Sequence, residues 1–213
     1  MYGFVTCLCG CGLWAMALFT GHGLPWAYGL NRPGSEAALQ NTLTATPFSV
    51  KYTLTTFTIP GMAKELTSVS VSQTWSNIAS MICAVNLPGE DNSNSCTYAT
   101  EIVYVNYAIV GVAGFSCLMA LLAVGGLCLV CGDGTKAKVS AAFLAISSLL
   151  SFSGPAAYLW KLDEMNQVIA SFAGLEGKSF GNDALLKPFV GALLATFAGV
   201  AFLLSAMGGW VGL

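Results

Sequence analysis

The stretch IVYVNYAIVGVAGFSCLMALLAVGGLCLVCGDGTKAKVSAAFLAISSLLSFSGPAAYLW, residues 102 to 160, decides the fold. From Ile102 through Gly132 it holds no Asp, Glu, Lys, Arg or His, and Val139 to Trp160 is again free of charge. Each run exceeds the ~20 apolar residues that a helix rising 1.5 Å per residue needs to cross about 30 Å of hydrocarbon. The link between them, Gly132-Asp133-Gly134-Thr135-Lys136-Ala137-Lys138, is too short for anything but an antiparallel return. The sequence therefore predicts a membrane hairpin: a span at 102–131, a turn at 132–138 and a span at 139–160.

Two more uncharged stretches flank it. Residues 1–31 carry no Asp, Glu, Lys or Arg, and Pro188 to Leu213 are likewise uncharged. They predict a first span within 1–30, running from about Gly3 to Gly21 with apolar character persisting to Leu30, and a fourth at 188–213. The first lacks a basic leader and a small-residue cleavage site, so it is expected to be retained and not cut off as a signal peptide. Pro25 is expected to end its helix, with Trp26 and Tyr28 at headgroup level. The fourth span is expected to end the chain without a docking tail.

Composition agrees. The chain is 55% hydrophobic and 8% charged, against about 25% charged in soluble domains. A net charge of −2 provides no basic surface for nucleic acid.

Residues 31–101 form the one long segment able to build a domain outside the bilayer. Phe48 to Ile59 is rich in β-branched and aromatic residues, with Phe48, Val50, Tyr52 and Leu54 alternating with polar neighbours, and Leu66 to Trp75 alternates again. Pro60-Gly61 and Pro88 to Asn94 read as turns. Helix is allowed at Glu36 to Leu43 or Ser76 to Cys83. The fold class is a mainly α membrane protein, a four-transmembrane-helix bundle with a small extracellular antiparallel β-sheet in its first outer loop. A second outer loop, 161–187, opens with a stretch, Lys161 to Phe172, able to prolong the third helix by about three turns.

The eight cysteines fall into two groups. Cys83 and Cys96 flank the Pro88-Gly89 turn, where adjacent strands would bring them within disulfide range; the alternative is two unpaired thiols. A disulfide requires an oxidising compartment and so puts this loop outside, in the plasma membrane topology expected here. Basic residues alone oppose that orientation, since Lys136 and Lys138 are outnumbered by Arg32, Lys51, Lys64, Lys161, Lys178 and Lys187, but the rule is weak for long loops. Cys7, Cys9, Cys11, Cys117, Cys128 and Cys131 lie in or beside the spans; all but Cys117 would then lie near the cytoplasmic face, as palmitoylation sites or as small apolar fillers. Cys128-x-x-Cys131 has no histidine beside it, so no metal site is expected. His22, the one histidine, reads as a solvated interfacial side chain. No span holds a carboxylate or lysine for a proton relay, and no nucleophile–base pair or phosphate loop is present, so neither an enzyme nor a transporter is expected. Gly111, Gly114, Gly125, Gly126, Gly191 and Gly199 are the residues for close helix approach.

These pieces carry a family resemblance. Ser72-Gln73-Thr74-Trp75 leading to Cys83 and Cys96, the inner turn from Cys128-x-x-Cys131 to Lys136 and Lys138, Trp160 with Val168-Ile169 and Phe172, and Gly191-Ala192-Leu193 with Gly208-Gly209 are similar to motifs of the claudins and their relatives, the peripheral myelin, epithelial membrane and lens-fibre membrane protein families, and the regulatory subunits of glutamate receptors and calcium channels. The Gly-Leu-Trp expected before the first cysteine is replaced by Ile78 to Ile82, and the arginine expected near the second span by Glu101. The resemblance implies four helices and an outer sheet stapled by one disulfide.

The expected function is contact without catalysis: lateral assembly or adhesion, with itself or another membrane protein, through the outer β-domain and glycine-lined helix faces. Trp75, Trp160 and Phe172 are the candidate interaction residues, with Trp75 expected to anchor the β-domain against the bilayer or its core. The alternative is an accessory subunit of a larger complex, a channel or receptor or a photosynthetic or other bioenergetic assembly. Lipids are the expected companions. A pigment enters only under the alternative, where His22 or Asn106 would touch it.

Overall fold

The computed structural model describes residues 2–31, 39–56, 67–84, 92–129, 134–175 and 186–211. Their elements are α1 (Tyr2–Phe19), a 3-10 turn (Gly21–Gly23), β1 (Ala27–Asn31), β2 (Leu39–Ala45), β3 (Ser49–Thr56), β4 (Thr67–Thr74), α2 (Trp75–Ala84), α3 (Asn92–Leu129), α4 (Gly134–Trp160), α5 (Leu162–Leu175), β5 (Lys187–Pro188) and α6 (Val190–Val211). The protein is mostly helical with a small antiparallel sheet, and among the described residues three segments, Asn94–Gly125, Lys138–Trp160 and Val190–Gly208, are long and apolar enough to cross a membrane. The apolar part of α1, Phe4–Phe19, is shorter. It packs along α6 and α3, while α4 packs against both α3 and α6.

Small residues set these approaches. A Cβ added at Gly10 would stand 2.6 Å from the Phe202 ring, one at Gly199 2.9 Å from Phe152, and one at Gly154 3.1 Å from Trp14. Large rings on one helix thus sit on bare backbone of the next. Hydroxyl groups bind the same interfaces. Ser116 Oγ donates to Ser147 O at 2.7 Å and lies 2.8 Å from Ser151 Oγ. Ser151 Oγ also accepts from Trp14 Nε1 at 2.9 Å, and Ser148 Oγ donates to Gly199 O at 2.8 Å. Away from water such groups need partners, and these serines have them.

The first helix lies close to the span expected from about Gly3 to Gly21 and does not extend through the rest of the 1–30 stretch. It stops at Phe19, and Gly21 follows with φ +57°, a left-handed conformation that suits glycine and ends helices. The remaining apolar run becomes β1. At its start Trp26 is fully buried, donating through Nε1 to Ala17 O at 2.7 Å, with its ring 5.1 Å from Tyr158. It is a core residue and not a headgroup-level aromatic.

The sheet has the order β4-β3-β2-β1-β5, antiparallel throughout. The two alternating runs appear as β3 and β4. The stretch allowed as helix at Glu36 to Leu43 holds β2 from Leu39 onward, whereas Ser76 to Cys83 is helical, within α2. Helix α3 starts at Asn92, well before the boundary expected at Ile102, and α4 absorbs Gly134 to Lys138 of the predicted turn. Leu162–Leu175 does continue α4 as a helix, joined through Lys161.

Candidate association surface

The sheet presents one apolar face whose cover runs out. Residues paired across antiparallel strands share a face, and Ala27↔Ala45↔Val50 and Gly29↔Leu43↔Tyr52 define the inner one. Ala27, Leu43, Ala45 and Val50 are buried there. The same face continues through Val50↔Gln73 and Tyr52↔Val71 onto β4, where Val69 lies two residues further along it. At β4 it emerges, with Val69 56% and Val71 39% exposed. Among the described residues β4 pairs with β3 alone. Its sequence, TSVSVSQT, contains no charge and no proline, the devices with which proteins commonly blunt an edge strand.

The opposite end is closed. Phe189 N donates to Trp26 O at 2.9 Å and Gly191 N to Pro25 O at 2.9 Å, joining the start of α6 to the entry of β1. A Cβ at Gly191 would meet Trp26 Cδ1 at 2.5 Å and Leu24 O at 2.8 Å. Tyr28 lies against Phe189, ring centroids 5.3 Å apart.

Trp75 is an anchor against the core, the second of the two places expected for it. It is buried and its Nε1 donates to Thr46 O at 2.8 Å, holding the β2–β3 hairpin. Thr46 Oγ1 accepts from Phe48 N and Ser49 N in the same turn. Thr74 Oγ1 caps α2 by accepting from Asn77 N at 3.2 Å. The apolar stripe Ile78, Ala79, Ile82 of α2 is buried, and α2 packs against α3. Across that contact Cys83 and Cys96 form a disulfide with Cα atoms 4.9 Å apart. The bond joins two helices, not the two strands the sequence suggested, because helical periodicity on α2 turns Cys83 toward α3.

His22 is not simply solvated. Its ring nitrogens lie 3.1 Å from Ser49 Oγ and 3.0 Å from Thr44 Oγ1. Burial, and then the Lys51 ammonium, hold its pKa below the ordinary value. Lys161, at the α4–α5 joint, reaches Glu101 Oε2 at 2.6 Å and Glu164 Oε2 at 2.7 Å, with its side chain 10% exposed. The Glu101 and then the Glu164 carboxylate raise its pKa. Glu101 and Glu164 are thus clamps on α3 and α5. Trp160 is 78% exposed beside this cluster, its ring centroid 5.3 Å from Lys161 Nζ. Phe172 packs partly buried on the core.

Of the other predicted residues, Gly191 and Gly199 are true packing positions, whereas a Cβ at Gly111, Gly114 or Gly125 would meet nothing within 4 Å. Those three glycines face away from the bundle. Cys7 is fully buried, which leaves no room for an acyl chain; Cys9 is exposed, and Cys11 and Cys117 are half-buried. Cys131 and the sides of Gly126 and Cys128 lie outside the described residues. Sequence reasoning missed Gly10, Gly154, Trp14 and the serines. Gly10 and Gly154 resemble every other glycine in an apolar run until the facing ring is known.

Below the hairpin is a cavity of about 210 Å³ lined by Pro47, Phe48, Thr74, Trp75, Ser76, Val103, Asn106 and Tyr107. Asn106 is 2% exposed, and neither Nδ2 nor Oδ1 has a hydrogen-bond partner among the described residues.

No protein-family model matches this chain, and no curated protein matches it significantly.

Proposed function

We propose that this chain is a non-enzymatic, four-span plasma membrane protein that assembles laterally, or adheres, through its extracellular sheet. The reading takes α1 as the fourth span. Its 18 residues cover about 27 Å at 1.5 Å per residue, and it packs along two other spans. The Cys83–Cys96 disulfide favours an oxidising compartment for the sheet side. Sheet, disulfide and helix order also support the kinship with the claudin superfamily.

The observation that carries the function is the β4 edge: eight residues without charge or proline, exposing two valines of the core face. Strand addition at such an edge supplies main-chain hydrogen bonds and covers the valines. A two-fold pairing centred on Ser70 sets Val69 of one copy opposite Val71 of the next. The double variant Val69→Lys/Val71→Lys tests it. Chemical crosslinking in native membranes is expected to yield oligomers or hetero-adducts for the wild type and monomer for the variant. Equal crosslinking of both proteins refutes the edge as the contact.

A second reading, an accessory subunit of a larger membrane complex, is favoured by Gly111, Gly114 and Gly125, which face outward from α3. There another helix would approach as closely as Phe202 approaches Gly10. Copurification in mild detergent, with an absorbance spectrum of the eluate, separates a pigment-bearing host from self-assembly.

A further inference from the structure

We infer that the cavity beneath the β2–β3 hairpin is a binding site for the alcohol headgroup of a neutral membrane amphiphile, with Asn106 as the residue that recognises it. The inference rests on the membrane reading above but not on the β4 edge.

Four observations converge. The lining of the cavity, Pro47, Phe48, Thr74, Trp75, Ser76, Val103, Asn106 and Tyr107, contains no charged side chain, so an anionic or cationic headgroup would lie there uncompensated. Asn106 is nine-tenths and more buried, lines this space, and offers both a donor and an acceptor with no protein partner among the described residues. A single hydroxyl group satisfies both, accepting from Nδ2 and donating to Oδ1, and the apolar part of the lining favours one that carries a hydrocarbon body. Thr74, Ser76 and Tyr107, which also line it, carry neutral hydroxyls, and the Trp75 indole N–H is already given to Thr46 O. Contrast the serines deeper in the bundle, each of which has a partner within the fold.

Depth gives the third argument. Asn106 lies five residues beyond Glu101 on α3, about 7.5 Å along a helix at 1.5 Å per residue. Glu101 holds Lys161 in an ion pair that marks the polar end of the spans. The amide is therefore placed just below the polar boundary, where the hydroxyl of a sterol or a diacylglycerol resides and its apolar body points down the helix. Tyr104 and Tyr107, both exposed on α3 at this level, are interfacial residues of the kind that flank such a boundary. Size is the fourth. A space of about 210 Å³ is below the ~300–1,000 Å³ of sites that enclose a whole drug-sized ligand. It suits a headgroup and its first ring or glycerol carbons, with the remainder lying outside along Val103 and Tyr107.

The test uses the full chain in phosphatidylcholine vesicles. One arm contains a photoactivatable sterol with a free hydroxyl, a second a photoactivatable diacylglycerol, a third the sterol with its hydroxyl replaced by hydrogen, and a fourth a photoactivatable phosphatidic acid. Flotation with the vesicles reports the membrane reading separately from the site. At least one alcohol is expected to label the peptides holding Val103 to Tyr107 or Thr74 to Ser76, and which one labels identifies the source. Loss of the hydroxyl, or Asn106→Leu, is expected to lower that labelling about tenfold, the equivalent of one or two neutral hydrogen bonds. Val103→Phe, which narrows the cavity without touching the amide, is expected to do the same and serves if Asn106→Leu does not fold. An intact Cys83–Cys96 disulfide by non-reducing peptide mapping certifies the fold of each variant. Labelling of these peptides by neither alcohol, equal labelling of the hydroxyl-free sterol, undiminished labelling of Asn106→Leu where it folds or of Val103→Phe, or labelling by phosphatidic acid alone overturns the inference.

Discussion

The two ends of the sheet differ in what lies over the same face. At the β1 end Ala27, Leu43 and Ala45 are buried, and the start of α6 is tied to the entry of β1 by two main-chain hydrogen bonds. At the β4 end the same face exposes Val69 and Val71 along an edge with no charge to guard it. One continuous apolar face is thus partly a fold element and partly a surface. The first end is packed and, in the proposed function, the second is where association takes place, so substitutions at the two ends are expected to fail in different ways.

The largest effect is expected at the closed end. Gly191→Val places a branched side chain where Trp26 and two carbonyl oxygens already stand, and backbone cannot move aside as a flexible side chain does. A loss of about 3 kcal/mol or more is expected, read as collapse of the folded peak in detergent size-exclusion chromatography. A protein that tolerates valine there would show that this end is looser than its contacts imply.

The disulfide comes next. Closing the loop between Cys83 and Cys96, a separation of 13 residues, is expected to contribute about 3 kcal/mol. Thermal denaturation of Cys83→Ser/Cys96→Ser should reproduce that of the reduced wild type, and reductant should leave the variant unchanged. A wild type indifferent to reductant would mean that burial of the α2 stripe suffices by itself. At the open end Val69→Lys/Val71→Lys should change stability by no more than about 0.5 kcal/mol, since both positions are surface, while abolishing assembly. A large stability loss there would erase the distinction between the ends.

Much of this was legible in the sequence. The hairpin of α3 and α4 follows from uncharged length, and the helical continuation after Trp160 from its apolar spacing. β3 and β4 show in alternation because one face of each is polar. β1 did not show: Ala27 and Gly29 are buried on one face while Tyr28 and Leu30 are half-buried on the other, so an apolar run beside a span read as more span. β2 carries its pattern on Leu43 and Ala45 against threonines, a weak contrast. The sequence suggested Cys83 and Cys96 as partners, but the helices that bring them together required knowing that α3 begins at Asn92. The clamp from Lys161 to Glu101 and the seat of Asn106 under Trp75 join residues distant in sequence, and no local pattern marks them. The exposed valines were visible as alternation, but their exposure depends on where the cover stops.

In the proposed function β4 is the edge at which this protein meets its neighbour. The most direct measurement of that contact is oxidative crosslinking in native membranes of Ser70→Cys, midway along β4, against Lys187→Cys on the short strand at the opposite edge. In the two-fold pairing the Ser70 positions of two copies lie opposite each other, within reach of a disulfide. Rapid adducts through Ser70→Cys that reductant reverses, and few through Lys187→Cys, are expected. Failure of Ser70→Cys to crosslink above the Lys187→Cys level would contradict it.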